Sequence, residues 1–319
     1  MLNAENFSMD VLADVLRASR LGNSILSQSE LVAPWGLEVG PDVRAAVHVV
    51  QRGTCWLRLG PKGKPIRLSV GDVILIPRGL RHVLSDGPRS PSEPYARALE
   101  KMRVRLATLG SELESERVTL LCAEIKFDLD DPHPLMSILP EVIRLSQDAS
   151  ENDDDLQSLC RLLLREAKGG RTGSEIVVPR LIDTLLVFVV RRWLDHQPLK
   201  SAGWLGALRD PQVGQALGLI HEAPEYRWTV AELAARVAMS RAVFARRFVA
   251  LVGEPPLTYV TRWRMNLAAK ALRSTDDSVE RIGALVGYES STAFGNAFRR
   301  HLSISPGQYR LRDRDRHRG

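Results

Sequence analysis

The residues from Trp228 to Tyr309 constrain this chain most, because they repeat one local pattern at a spacing of about fifty positions. In the first copy, Val230 to Val237 places Leu233, Ala234 and Val237 on one helical face. Ala238 and Met239 turn the chain, Ser240 can cap a second helix from Arg241 to Val252, and Gly253 closes it. In the second copy, Asp277 or Ser278 can cap a helix through Ile282, Leu285 and Val286. Gly287 ends that helix, and Ser290 or Ser291 opens a long one with Phe294, Phe298 and Leu302 inward. A side-chain oxygen at a helix start accepts from backbone N–H groups that lack an intrahelical partner, and glycine adopts the left-handed conformation that ends a helix. A helix over Leu257–Leu272 joins the two helix-turn-helix copies.

A helix that enters the major groove needs an apolar stripe holding it to its own domain and an outward face of small, polar and basic side chains. Arg241 to Phe248 has that form: Val243, Phe244 and Phe248 can pack, while Arg241, Ala242, Ala245, Arg246 and, toward an edge, Arg247 face outward. In the second copy Ser291, Thr292, Gly295, Asn296 and Arg299 surround the Phe294/Phe298 stripe. One such pattern alone is equally a helical bundle with a solvated arginine-rich face. Two in tandem favour DNA binding.

This segment resembles the DNA-binding domain of the AraC/XylS family of bacterial transcription regulators. The match is carried by Ile282, Gly283, Val286, Gly287, Tyr288, Ser290, Phe294, Phe298, Arg299, Ser305, Pro306, Tyr309 and Arg310, with Arg262, Leu267 and Ala268 in the connecting helix. The resemblance implies seven helices, with both recognition helices in successive major grooves on one DNA face. It implies base-edge contacts from Ala242, Ala245 and Arg246, and from Ser291, Thr292, Gly295 and Asn296. Arg246 suits a guanine and Asn296 a polar base edge, whereas the alanines offer only apolar contact. Arg241, Arg247, Arg262, Arg299 and Arg300 are expected on phosphates.

Charge agrees with this division. Of the net +6, the residues up to Trp204 contribute −1 and those from Leu205 onward +7, a neutral first part joined to a basic second part. Neutralising phosphates makes such binding strongly salt-dependent. Cys55, Cys122 and Cys160 follow no metal spacing and form no paired framework, so a reducing cytoplasm is expected. The start of the chain has no basic, apolar leader pattern, and the longest apolar run, Leu181–Val190, contains Asp183 and is too short to span a bilayer.

The first part opens with a short amphipathic helix over Ser8–Arg17, suited to cover an opening in the following domain or to pack on a partner subunit. From Leu21 to Phe127 short strands alternate with Gly and Pro turns: Ala46–Gln51, Thr54–Leu59, Ile66–Leu68, Val73–Pro77 and Val118–Phe127. Many short strands with tight turns predict a closed or sandwiched β architecture. Gly71, Pro77, Gly79 and His82 stand at the spacing of the second motif of the cupin family, where His82 would be a metal ligand. The first cupin motif is incomplete: His48 stands alone, followed by Val49 and Val50. His48, His82 and Cys122, on separate strands, can converge into a His2Cys set for a divalent metal. The alternative is that they are interior residues with no metal. Residues 87–116 read as a flexible insertion with a helical middle from Tyr95 to Leu109.

From Pro134 the pattern turns helical: Leu135–Leu139, Glu141–Leu145, Asp153–Lys168 and Ser174–Asp195. The last two suit a helical hairpin that dimerises, or one that covers its own barrel. The expected organisation is therefore α+β: a cupin-like sensor barrel over 1–132, a helical dimerisation segment over 133–196, a linker over 197–206, a tandem helix-turn-helix domain over 207–310 and a disordered tail over 311–319. The expected function is sequence-specific transcription regulation, with promoter DNA as partner, RNA polymerase too if it activates, a small-molecule or redox signal, and a second copy of the chain. No catalysis and no membrane attachment are expected. The competing reading is a cupin-type metal-dependent enzyme with a helical appendage, against which the broken first motif counts.

Overall fold

The alternation of apolar residues with turn glycines in the first part builds two antiparallel-rich sheets, seen in a computed structural model that describes residues 11–12, 14–15, 25–41, 45–109, 117–125, 139–146, 154–167, 171–196 and 204–316. The strands are β1 (Ile25–Leu31), β2 (Gly36–Val39), β3 (Ala45–Arg52), β4 (Cys55–Leu59), β5 (Ile66–Leu68), β6 (Val73–Ile76), β7 (His82–Ser85), β8 (Glu93–Pro94), β9 (Val118–Ile125) and β10 (Ile143–Leu145). One sheet runs β1-β9-β3-β6-β10 and the other β5-β4-β7-β2-β8. The expected barrel is therefore a pair of five-stranded sheets rather than a closed ring of strands. Because side chains alternate across a strand, one face of β3 gives Ala46, His48 and Val50, of which the two apolar residues join a core with Leu57, Leu68, Ile74, Leu84, Leu120 and Cys122 from both sheets.

The opposite face of the first sheet, with Val47, Val49, Leu75 and Leu121, is buried as well. Helix α3 (Ser174–Asp195) lies against β6 and β10, and α2 (Asp154–Ala167) against β1 and α3. Ile182, Leu185, Leu186, Val189 and Val190 of α3 are buried within this one chain, so its apolar run does not by itself require a second subunit. Glu141–Leu145, expected to be helical, instead supplies edge strand β10, held by an Arg144–Asp72 ion pair at 2.8 Å. A three-residue stretch carries too little periodicity to tell helix from strand. The insertion is also more ordered than expected. Helix α1 (Tyr95–Leu109) packs Tyr95, Ala98, Leu99, Met102 and Leu106 on the sheet core, and Arg105 donates to the carbonyls of Val32, Ala33 and Pro34.

Of the described residues, the second unit comprises 204–316 together with Val11, Leu12, Asp14 and Val15. Of the expected Ser8–Arg17 helix, Val11, Leu12, Asp14 and Val15 are described, and all four are helical. Asp14 lies 3.6 Å from Nδ1 of His221, so this piece packs on the C-terminal unit. The helices are α4 (Trp204–Arg209), α5 (Pro211–Glu222), α6 (Val230–Arg236), α7 (Arg241–Val252), α8 (Pro256–Ser274), α9 (Val279–Leu285), α10 (Ser291–Leu302) and α11 (Pro306–Arg316). Helix α4 begins inside the expected linker, and α11 runs through most of the expected tail. Most of the Leu135–Leu139 piece falls outside the described residues. No helix among the described residues is long and apolar enough to cross a membrane.

Candidate DNA interface and the buried histidine–cysteine chain

The starts of both recognition helices are fixed by serines, Ser240 as expected and Ser290 rather than Ser291. Ser240 Oγ accepts from Val243 N, and Ser290 Oγ from Ala293 N; in the helix before the second turn, Ser278 Oγ accepts from Arg281 N. Gly253 ends α7 at φ 89° and Gly287 follows α9 at φ 86°, a region where an L side chain is strained. The orientation of each recognition helix is set by aromatic packing. Phe244 and Phe248 are fully buried with rings 5.5 Å apart, and Phe248 meets Tyr259 of α8 at 5.9 Å. Phe294 and Phe298 repeat this at 5.7 Å, and Phe298 meets Tyr309 of α11 at 5.5 Å. Edge-on and tilted contacts of this kind add about 0.5–1.5 kcal/mol each beyond area burial.

Pinning these rings inward leaves the opposite faces outward. Arg241, Ala242 and Arg246 of α7 are exposed and Ala245 is half-buried. Ser291, Thr292, Asn296, Arg299 and Arg300 of α10 are exposed, and Gly295 is half-buried with open space where a Cβ would point. Val243, expected to pack, is 44% exposed and adds an apolar patch to the outward face; Leu285 of α9 is likewise exposed rather than inward. Arg241, Arg246, Arg299 and Arg300 have no ion pair among the described residues, which leaves their charge available to an anionic partner.

Two of the expected phosphate arginines are placed differently. Arg262 is buried, its Nε donates to Glu254 at 2.9 Å, its Nη2 bonds the same carboxylate, and its guanidinium lies 5.1 Å from the Tyr259 ring centroid. It is a structural residue of α8 and cannot reach a phosphate without leaving Glu254. Arg247 is exposed, but its fork grips Asp210, donating through Nε at 2.8 Å. Asp210 in turn caps α5, accepting from Gln212 N and Val213 N at 3.1 and 2.9 Å. The second engagement has no local sequence signal, since Asp210 stands 37 residues from Arg247.

In the N-terminal unit His48, His82 and Cys122 do converge. His48 Nδ1 is 3.1 Å from Cys122 Sγ, His48 Nε2 is 2.8 Å from His82 Nε2, and His82 Nδ1 is 2.7 Å from the Leu80 carbonyl. Donor roles follow by elimination. A carbonyl only accepts, so His82 Nδ1 donates and its neutral Nε2 accepts from His48 Nε2–H. His48 Nδ1 then accepts the Cys122 thiol proton. Burial supports the neutral forms: it pushes both imidazoles below their ordinary range, His48 furthest, and the Cys122 thiol up to about 12. The Tyr95 hydroxyl completes the cluster, 2.9 Å from Ser27 Oγ and 3.2 Å from Ser29 Oγ, with Cys122 as a further partner. Tyr95 was not foreseeable, because nothing in a helix-forming insertion marks which residue turns inward.

This is a chain rather than a chelate. His48 presents opposite ring nitrogens to its two partners, so one ion cannot be bound by all three side chains as they stand. Among the described residues no group of three or more His, Cys, Asp or Glu side chains is arranged to hold a metal ion. The His2Cys expectation is met in its convergence but not in its geometry.

Residues 10–195 match the family described as Cupin, and residues 233–312 match the family described as Helix-turn-helix domain. A putative AraC-like transcription regulator of Streptomyces antibioticus is 32% identical, over 95% of this chain and 98% of its own length. The chain is an AraC-type transcription regulator. The regulator MtrA of Neisseria gonorrhoeae is 31% identical over the same shares of the two chains. The DNA-binding domain of AdpA, solved with a target DNA, is 36% identical and covers 34% of this AraC-type chain and 96% of its own, with a TM-score of 0.32. Relatives matched over nearly the full length are thus regulators, and the reading as a cupin enzyme has no support among them.

Proposed function

We propose that this AraC-type regulator reads promoter DNA with the outward faces of α7 and α10 and adjusts that binding to a signal received in its cupin domain, without catalysing a reaction. The carrying observation is that both recognition helices turn Ala242, Arg246, Ser291, Thr292 and Asn296 outward, with Ala245 and Gly295 half-buried among them, while phenylalanine pairs hold their backs. Ala242, Ala245 and Arg246 read one major groove; Ser291, Thr292, Gly295 and Asn296 read the next. Arg241, Arg299 and Arg300 bind phosphates, which position the protein without specifying sequence. The signal is read as a small molecule, supported by the burial of Cys55, Cys122 and Cys160 and by the upward push of the first two thiols to about 12; the thiolate is the reactive form. The protein works in the cytoplasm as a homodimer, a reading supported by Ile176 and Val177, which α3 leaves exposed. As an activator it would also touch RNA polymerase.

The test is selection of sites from random-sequence duplexes by the full-length protein at fixed salt. Enrichment of a motif with two elements one helical turn apart is expected. Salt-sensitive binding with no enriched motif would reduce the basic half to a phosphate binder and sink the base-reading assignment.

A further inference from the structure

The two helix-turn-helix halves have separate cores, joined along α8. Tyr259 meets Phe248 and His221 of the first half, and Trp263 stacks on His221 with ring centroids 3.9 Å apart. Met265, Ala268, Ala269 and Leu272 belong instead to the second core, with Ile282, Val286, Phe294, Phe298 and Tyr309. Arg264 sits between Trp263 and Met265, where the helix passes from one core to the other, and it turns sideways.

Its Nε donates to the Pro224 carbonyl at 2.5 Å and its Nη2 to the Tyr226 carbonyl at 2.8 Å. Both carbonyls lie in the loop that leads into α6 of the first half. The same guanidinium lies 5.8 Å from the ring centroid of Tyr288, in the turn of the second half. The backbone closes the same gap. A Cβ on Gly287 would lie 2.5 Å from the Glu225 carbonyl oxygen, 2.8 Å from Glu225 Cα and 2.9 Å from Arg264 Nη2. Only glycine allows that approach, and φ +86° there independently favours glycine. On the exposed rim Arg227 pairs with Glu289, linking the same loop to the same turn.

A single helix resists bending and twisting only through its own backbone. A second, off-axis tie between the two bodies it joins removes most of that freedom. We infer that Arg264 and Gly287 are positioning residues that fix the separation and twist between α7 and α10, so that the protein selects DNA by the spacing of its two elements as well as by their bases. This rests on the reading that both helices enter the DNA. One inserted base pair shifts an element by about 3.4 Å and turns it by roughly 35°. A rigid pair cannot follow that change, and a loosened pair can.

The experiment uses the two-element duplex selected by the wild-type full-length protein. It is compared with versions whose element spacing is changed by one or two base pairs, and with a duplex holding one element only. Affinities are read by fluorescence anisotropy at fixed salt for wild type, Arg264→Met and Gly287→Ala. Arg264→Met keeps the aliphatic stem and removes the N–H groups, so it guards against a Gly287→Ala variant that fails to fold. Both variants are expected to bind the native two-element site on the order of tenfold more weakly, because the second helix engages at a lower effective concentration. They are expected to keep single-element affinity and to lose most of the wild-type penalty for changed spacing. An Arg264→Met protein with the wild-type spacing profile overturns the inference, as does a wild type indifferent to spacing; both leave base reading intact. If selection yields no two-element site at all, the base-reading assignment fails first and this inference fails with it.

Discussion

Arg246 and Arg247 are neighbours on α7 with different surroundings, and two substitutions separate the roles these suggest. Arg246 is exposed and has no ion pair among the described residues. Arg246→Ala therefore leaves folding stability within about 0.5 kcal/mol. On DNA, under the proposed base-reading role, it would remove an arginine–guanine pair worth about 1–3 kcal/mol of discrimination, roughly a 5- to 150-fold loss at one base pair. Arg247→Ala instead strips the fork from Asp210, whose side chain is 8% exposed and whose other oxygen caps α5. A carboxylate oxygen left unpaired at that depth costs about 1–3 kcal/mol. For a unit of this size each kcal/mol lowers the melting temperature by about 3–4 °C. Anisotropy on the selected duplex, on single-base variants and on random duplex, with thermal melting beside it, reads both effects. The expected result is lost specificity with an unchanged melt for Arg246→Ala, and a lowered melt with retained base preference for Arg247→Ala. Equal loss on selected and random DNA for Arg246→Ala would make it a phosphate contact. Unchanged melting of Arg247→Ala would refute the anchoring role given to the Asp210 pair.

Further outcomes follow from the same contacts. Phe294→Ala removes a fully buried ring that meets Phe298 and Tyr288, and should cost about 3–5 kcal/mol in the C-terminal unit, seen as a lowered transition in calorimetry and lost two-element binding; a wild-type thermogram would deny that this ring seats α10. With Cys55 and Cys122 pushed up to about 12, neither thiol should react with a disulfide reagent at pH 8 until the protein is denatured; rapid labelling of Cys122 in the native state would reopen an oxidant as the signal. His221 is held below the ordinary imidazole range by burial, with the nearby Arg262 acting in the same direction and Asp14 opposing both. Its folded pKa is depressed, so the unfolded chain takes up the proton first as pH falls. The stability it contributes is present above about pH 6.5 and is lost on acidification below it. The C-terminal unit should melt at lower temperature at pH 5 than at pH 7, and His221→Gln should flatten that dependence; an equally steep dependence in the variant would assign it to other groups.

The sequence by itself determined the tandem helix-turn-helix, with Ser240 as a cap and the bounds of α7, because caps, glycine ends and phenylalanine spacing act within one or two helical turns; the structure then selected Ser278 over Asp277 and Ser290 over Ser291. It also brought His48, His82 and Cys122 to one place, since strand alternation and the motif spacing put all three inside. Strands β1, β2, β7 and β8 carry no such local signal, nor does the edge strand β10, because a strand is defined by a partner far away in the chain: β1 pairs with β9 across more than eighty residues. Tertiary structure alone decided which nitrogen of His48 faces Cys122, that Tyr95 closes the cluster, and that Arg262 and Arg247 are spent on Glu254 and Asp210 rather than left for DNA. It also decided that Arg264 ties the two halves together. An arginine looks the same in sequence whether it faces water or a carboxylate. Its role is set by what the rest of the chain brings within about 3 Å of its guanidinium, and hydrogen bonds that short are fixed only once the helices have packed.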